Sequence, residues 1–260
     1  MDPGRSQVPF LEVFICQPHA ASIMLAVDDA LSMGPLICLA TPFAILLFLI
    51  RPFLSALGLW KVVETHVDLK GKVIIVTGSN TGLGKRTASQ LARMGATVVL
   101  ACRDKDKAAA AAADIEAETG VAPVPMPLDL SRLESVDAFA KSFTQRFGTS
   151  LHALVCNAGV PATLRQRTAE GFSLEFGVSL IGHFALVQAL TPALRETPGS
   201  RVVTVSSVMH WFGQHGAAAD WSMAAFDTYP LHKRILHSSY SDAKVLADRM
   251  SMPGPATPLP

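Results

Sequence analysis

From residue 70 onward, short β-branched apolar runs alternate with stretches of helical spacing. Residues 72–77 (KVIIVT) are continuously apolar after the first, which predicts a strand buried on both faces. Residues 82–94 follow with helical spacing and stop at Gly95. Residues 97–102 read as a second strand. Asp104 is placed to cap an alanine-rich helix running to about Thr119, with Gly120 at its stop. Residues 121–128 hold Pro123, Pro125 and Pro127, and proline cannot donate to a ladder, so this third strand belongs on a sheet edge. Ser131 is expected to cap a helix to about Phe147. Residues 151–156 form a fourth strand, 171–194 a long helix and 201–206 a fifth strand. Strands alternating with helices predict an α/β fold with a doubly wound parallel sheet, right-handed crossovers and strand order 3-2-1-4-5.

Ahead of this pattern the character changes. Residues 30–50 contain no charge, and as a helix these 21 residues would span about 31 Å, enough to cross a hydrocarbon core. Pro42 would kink the helix, which membrane spans tolerate. Asp28 and Asp29 precede the segment where a cleaved leader would be basic, so the reading is a retained transmembrane helix, with a buried or amphipathic N-terminal hairpin packed on the domain as the alternative. Arg51, Lys61, Lys70 and Lys72 follow it, which places the main domain on the cytosolic side. Half of the chain is hydrophobic and the mean hydropathy is +0.34, in keeping with such a segment. Residues 1–29 mix apolar and polar positions without a readable period.

Charge and cysteine content narrow the partners. A net charge of +1 offers no basic surface, so nucleic acid is not an expected partner. Cys16, Cys38, Cys102 and Cys156 show no C-x-x-C spacing, which argues against a disulfide framework or a zinc site and fits a reducing compartment. The histidines form no helical pair of ligand spacing, and no metal is expected.

Two clusters carry chemistry. Gly78, Ser79, Asn80, Thr81, Gly82, Leu83 and Gly84 lie between the first strand and the first helix. Glycine there permits a tight turn and close backbone approach, and the helix N-terminus presents free N–H groups to a pyrophosphate. An acidic residue closing the second strand would hold a ribose hydroxyl. Here Arg103 stands in that place and can pair with a 2′-phosphate, so NADP is favoured over NAD. The second cluster is Tyr240 and Lys244, four residues apart on one helical face. A nearby ammonium favours the phenolate, which equips Tyr240 to exchange a proton with a substrate oxygen while hydride moves to or from nicotinamide. Ser207, at the end of the fifth strand, can hydrogen-bond the same oxygen.

The successive segments Thr77–Gly84, Leu128-Asp129-Leu130-Ser131, Asn157-Ala158-Gly159, Val205-Ser206-Ser207 and Tyr240–Lys244 resemble the motifs of the short-chain dehydrogenase/reductase family. The wording around the glycine turn and Ala101-Cys102-Arg103-Asp104 is similar to its retinol dehydrogenase and WW-domain oxidoreductase branch. The resemblance implies a Rossmann-like fold and a cofactor bordered by Asp129, Leu130, Asn157, Ala158 and Gly159. It also implies that Lys244 binds the nicotinamide ribose together with Tyr240, and that the protein is anchored in the endoplasmic reticulum. The substrate class it implies is lipophilic: retinoid, steroid or lipid aldehyde. In the family pattern an Asn stands where this chain has Ser179. That Asn holds a water of the proton relay at a helix bulge, so slower relay through Ser179 is expected.

The domain reading is therefore an N-terminal segment over 1–29, a transmembrane helix over 30–50, a linker over 51–68, an NADP-binding domain over 69–249 and a proline-rich tail over 250–260. The later strands of the family pattern are missing from the text, which leaves residues 201–206 as an expected open apolar edge. Two alternatives accompany the oxidoreductase reading: a shortened, catalytically inactive product with weak or no cofactor binding, and a sugar-nucleotide epimerase, against which the Asn157-Ala158-Gly159 wording speaks. The connection 208–239, rich in Met and aromatic residues, is either a wall of the substrate pocket or a surface cluster.

Overall fold

The computed structural model describes residues 11–14, 67–160, 166–207, 209–210 and 239–251. Residues 1–16 and 68–260 fall in one compact unit, and Gln17–Val67 form another, of which only Val67 is described. The expected transmembrane segment over 30–50 lies outside the described residues.

Strand β1 is Leu11–Phe14, β2 Val73–Thr77, β3 Thr97–Cys102, β4 Val124–Pro127, β5 Ala153–Cys156 and β6 Arg201–Val205. They form one sheet in the order β1-β6-β5-β2-β3-β4, with every pairing parallel. The five strands from β2 onward thus adopt the expected 3-2-1-4-5 order. Helix α1 (Gly82–Arg93) follows β2, α2 (Lys105–Thr119) follows β3, and α3 (Leu133–Phe147) follows β4. A helix over Leu174–Glu196, α4, follows β5, and α5 (Ser239–Ser251) comes last.

Strand periodicity sorts the core into two layers. Val73, Ile75, Val99, Leu154 and Val202 point to the side where α3 and α4 contribute Phe139, Phe143, Leu186 and Leu190. Ile74, Val76, Val98, Leu100 and Val155 point to the other side, against Ala88 and Ala92 of α1 and Ala108, Ala111 and Ile115 of α2. The alanines let α1 and α2 lie close to the sheet, and the resulting three-layer sandwich covers both faces, as a parallel sheet requires.

The local signals around α2 work as read. The Asp104 side chain accepts the Lys107 N–H at 3.0 Å, and Gly120 closes the helix in the left-handed conformation at φ 74°. Pro125 and Pro127 sit exposed in β4, which pairs with β3 alone at the sheet edge. Ser131 differs from expectation. Its hydroxyl and N–H both go to Asp129 Oδ1, at 2.6 and 3.0 Å, and α3 starts two residues later. Glu170, 37 positions away, accepts the Leu133 N–H at 2.7 Å instead. A carboxylate two residues upstream is the stronger partner for the serine, and the distant cap is invisible to local rules.

The opposite edge also differs. Leu11–Phe14 pairs with Val202–Val205, so β6 does not end the sheet. Helix α4 is the one described helix long and apolar enough to cross a membrane, yet over half of its apolar window is buried within the protein, so it is a core helix. Within it, Gly177–Ile181 forms a π turn. Gly177 opens that turn and Gly182 follows it, where any side chain would strike Thr168 and the Leu130 carbonyl, respectively.

Candidate functional site

The glycine turn is built by close backbone approach. Gly78 has φ 63°, and a Cβ there would come within 2.9 Å of the Ala158 Cα. A Cβ on Gly84 would overlap the Gly78 carbonyl and the Asn157 amide. Only glycine fits both places. Thr81, at the N-cap of α1, makes no side-chain capping bond, so the first N–H groups of that helix are not occupied by its own cap. Asn157 pins the turn from β5: its amide donates to the carbonyls of Thr77 at 2.9 Å and Gly78 at 3.3 Å.

These elements enclose a cleft of about 630 Å³ at the carboxyl ends of β2, β3 and β5. Gly78, Asn80, Thr81, Gly82, Leu83 and Gly84 form one side, Arg103 stands at the end of β3, and Asp129, Leu130, Asn157, Ala158 and Gly159 complete the wall. Ser79 does not face the cleft. It is fully buried, and its hydroxyl donates to the Val76 carbonyl at 2.8 Å, which braces the turn from beneath. Asp104, read from the sequence only as a helix cap, also lines the cleft, as do Lys107, Val160 and Val178, which were not singled out. Lys107 reads there as an ordinary residue of the alanine-rich helix. Only the fold places it beside Arg103, one turn into α2.

Three of the residues read as proton-transfer groups, Tyr240, Lys244 and Ser179, lie close to one another. A Cβ on Gly159 would lie 3.7 Å from Tyr240 Cε2 and 3.8 Å from Ser179 Oγ, so Tyr240, Ser179 and the Asn157–Gly159 segment converge. Lys244 is buried, its Nζ sits 5.5 Å from the Tyr240 ring centre, and it donates to the Val205 carbonyl at 2.6 Å. Ser179 is buried in the π turn. Ser207 follows β6, and its hydroxyl accepts the Met209 N–H at 3.3 Å. The connection after it, apart from Met209, His210 and Ser239, lies outside the described residues, and with it the expected wall of the substrate pocket.

Burial sets the charge states between these two points. His183, within α4, is buried, and desolvation pushes its pKa down to about 4. The Lys244 cation pushes the same way and the Ser179 carbonyl opposes. Burial pushes the Cys156 thiol up to about 12, against a smaller opposing effect of Lys244, so this sulfur is an inert core group. His183 has no sequence signature. It lies 106 positions from its partner Thr77, and only the packing of α4 under β2 brings them together.

A parallel sheet with a glycine-lined cleft beyond its carboxyl ends defines the doubly wound, nucleotide-binding class of α/β protein. Within that class the family is narrower: residues 72–219 match the short chain dehydrogenase family, and the chain belongs to it, in the retinol dehydrogenase branch. It is 43% identical over 183 residues to human retinol dehydrogenase 11, covering 70% of this chain and 57% of that one. It is also 43% identical over 176 residues to mouse polyprenol dehydrogenase, covering 66% of this chain and 49% of the other. The chain thus spans about half of the length of the curated relatives it matches. Among solved structures, a short chain dehydrogenase from Shigella flexneri complexed with NADP is 26% identical and superposes with a TM-score of 0.54, covering 72% of this chain and 71% of that one.

Proposed function

We propose that this chain is an NADP(H)-dependent oxidoreductase that interconverts an alcohol and a carbonyl on a lipophilic substrate. The observation that carries the reading is the joining of the two clusters at Gly159, which belongs to the wall of the cleft and where an added Cβ would lie within 4 Å of both Tyr240 and Ser179. The residues present fit a dinucleotide: Gly78 and Gly84 leave a cradle that side chains would fill, and the α1 N-terminus faces the cleft. Arg103 offers a cation for a 2′-phosphate, with Lys107 close by but ion-paired to Asp104 at 3.4 Å, and this supports NADP over NAD. The NADP complex of the Shigella relative and the names of the retinol and polyprenol relatives point the same way on cofactor and substrate class.

The bound nicotinamide would supply hydride chemistry. The chain's own residues would handle the proton. In this reading Tyr240 exchanges a proton with the substrate oxygen, and Ser207 hydrogen-bonds that oxygen. Lys244, held beneath by the Val205 carbonyl, places positive charge beside the phenol. Ser179 lends a hydroxyl at the inner end of this line, where its Oγ has no protein partner. The membrane helix over 30–50 and an endoplasmic reticulum location with the domain facing the cytosol belong to the same proposal. Protease protection of microsomes carrying the full chain tests them.

The test of the catalytic reading is NADPH binding together with reduction of a long-chain or retinoid aldehyde. Tyr240→Phe is expected to retain NADPH affinity and lose at least about a hundredfold in turnover, the usual worth of a positioned acid. A second reading, cofactor binding without turnover, is favoured by Ser179 standing in the place of the family's Asn. Turnover that depends on Tyr240 excludes it. A folded protein that does not bind NADPH excludes the cofactor assignment.

A further inference from the structure

The buried group that the proton-transfer line does not use is His183, and its hydrogen bonds determine its tautomer. The Thr77 hydroxyl accepts two backbone N–H groups, from Asn157 and Ala158, each at 2.9 Å. Its two lone pairs are then occupied. Its single proton has two acceptors in reach, His183 Nε2 at 2.9 Å and the Val155 carbonyl at the longer 3.3 Å. Nε2 is thus the acceptor and carries no proton. The remaining proton of a neutral ring sits on Nδ1, which faces the Ser179 carbonyl at 3.3 Å and donates to it. The opposite tautomer would press a third donor onto Thr77 and set two lone pairs against each other at Ser179.

We propose that His183 is a positioning residue. Its neutral ring ties the Thr77 hydroxyl, which anchors the Asn157–Ala158 wall of the cleft, to the Ser179 carbonyl in the π turn beside Tyr240. The ring bridges the two clusters from beneath the sheet. One nitrogen holds the segment that shapes the dinucleotide turn, and the other holds the turn that carries Ser179. The low basicity imposed by burial keeps the ring neutral at physiological pH, as this arrangement needs. The inference rests on the proposed oxidoreductase reading for its kinetic consequences and on the geometry alone for its hydrogen bonds.

Two substitutions separate the two arms. In His183→Asn a short amide can still donate from the Nδ1 position but no longer reaches Thr77. In His183→Gln the amide reaches Thr77 but abandons Ser179. The expected result is an approximately fivefold loss of NADPH affinity in His183→Asn with kcat nearly retained, and an approximately fivefold loss of kcat in His183→Gln with affinity retained, the worth of one net hydrogen bond each. Thr77→Val, which also takes the acceptor away from the Asn157 and Ala158 N–H groups, should lower NADPH affinity further than His183→Asn does. Nitrogen-15 NMR of the full wild-type chain at neutral pH should show the neutral Nδ1–H tautomer. Amide exchange at Asn157 and Ala158 should quicken in His183→Asn and not in His183→Gln. A charged ring, the Nε2–H tautomer, or equal losses of affinity and kcat in both variants would overturn the proposal. If the wild type does not bind NADPH, the oxidoreductase reading fails alone, and the tautomer and the two exchange patterns still decide the role of His183. If the variants do not fold, the wild-type tautomer decides it.

Discussion

At the scale of single residues, the turn and the buried histidine carry the sharpest consequences. Gly78 is left-handed, and a non-glycine residue held there costs about 1–2 kcal/mol from the backbone alone. The approach to Ala158 adds a steric term. Gly78→Ala is therefore expected to lower the thermal midpoint and to weaken NADPH binding more than tenfold, which calorimetry and fluorescence titration on one preparation would check. His183 makes a prediction about acid. Its folded pKa of about 4 lies below the ordinary 6.5, so the folded state refuses a proton that the unfolded chain takes up. Above pH 6.5 neither state is charged and the group has no effect. As pH falls from 6.5 towards 4, stability declines by up to about 3 kcal/mol, and it levels off below that. His152 works in the same direction, because burial first and Lys72 second disfavour its charged form. Urea unfolding between pH 7 and 4.5 should show this decline, and His183→Gln should flatten much of it.

At the scale of elements, caps and edges divide into those that local rules see and those that they do not. Asp104 caps α2 from three residues away. Its replacement by Ala should cost about 1 kcal/mol, measurable as a shift in the denaturation midpoint at unchanged slope. Ser131→Ala should leave the start of α3 intact, because that helix takes its cap from Glu170. The same division explains what could be read in advance. Strands β2 to β6 and helices α1 to α3 announce themselves through apolar runs, glycine stops and alanine spacing, since each signal is contained in the element itself. The proline-marked edge was legible for the same reason. Strand β1 was not: four residues in a mixed segment have too little period to read, and their place depends on β6, far along the chain. The glycine turn and Arg103 were legible as residues that belong together, and they line one cleft. The inward Ser79, the cleft-lining Lys107 and the Thr77–His183 bond were not, because each is defined by what packs across from it.

At the scale of the whole molecule, the sheet is asymmetric in how its ends are made. One end is a short strand guarded by prolines, and the other is supplied by residues from near the N-terminus. Removing residues 1–16 should uncover the β6 ladder and raise self-association, read as higher-order species in light scattering, while far-UV circular dichroism changes little. The pairing of Leu11 with Val202 also imposes an order on synthesis. A ribosome adding about 5–20 residues each second reaches β6 roughly 10–40 seconds after β1 has been made. For that interval the first strand of the chain is without the neighbour it finally joins, and the other four parallel strands can be completed before it docks. The sheet is closed last by what was made first, so the N-terminal segment must be kept from other partners until the rest of the fold arrives.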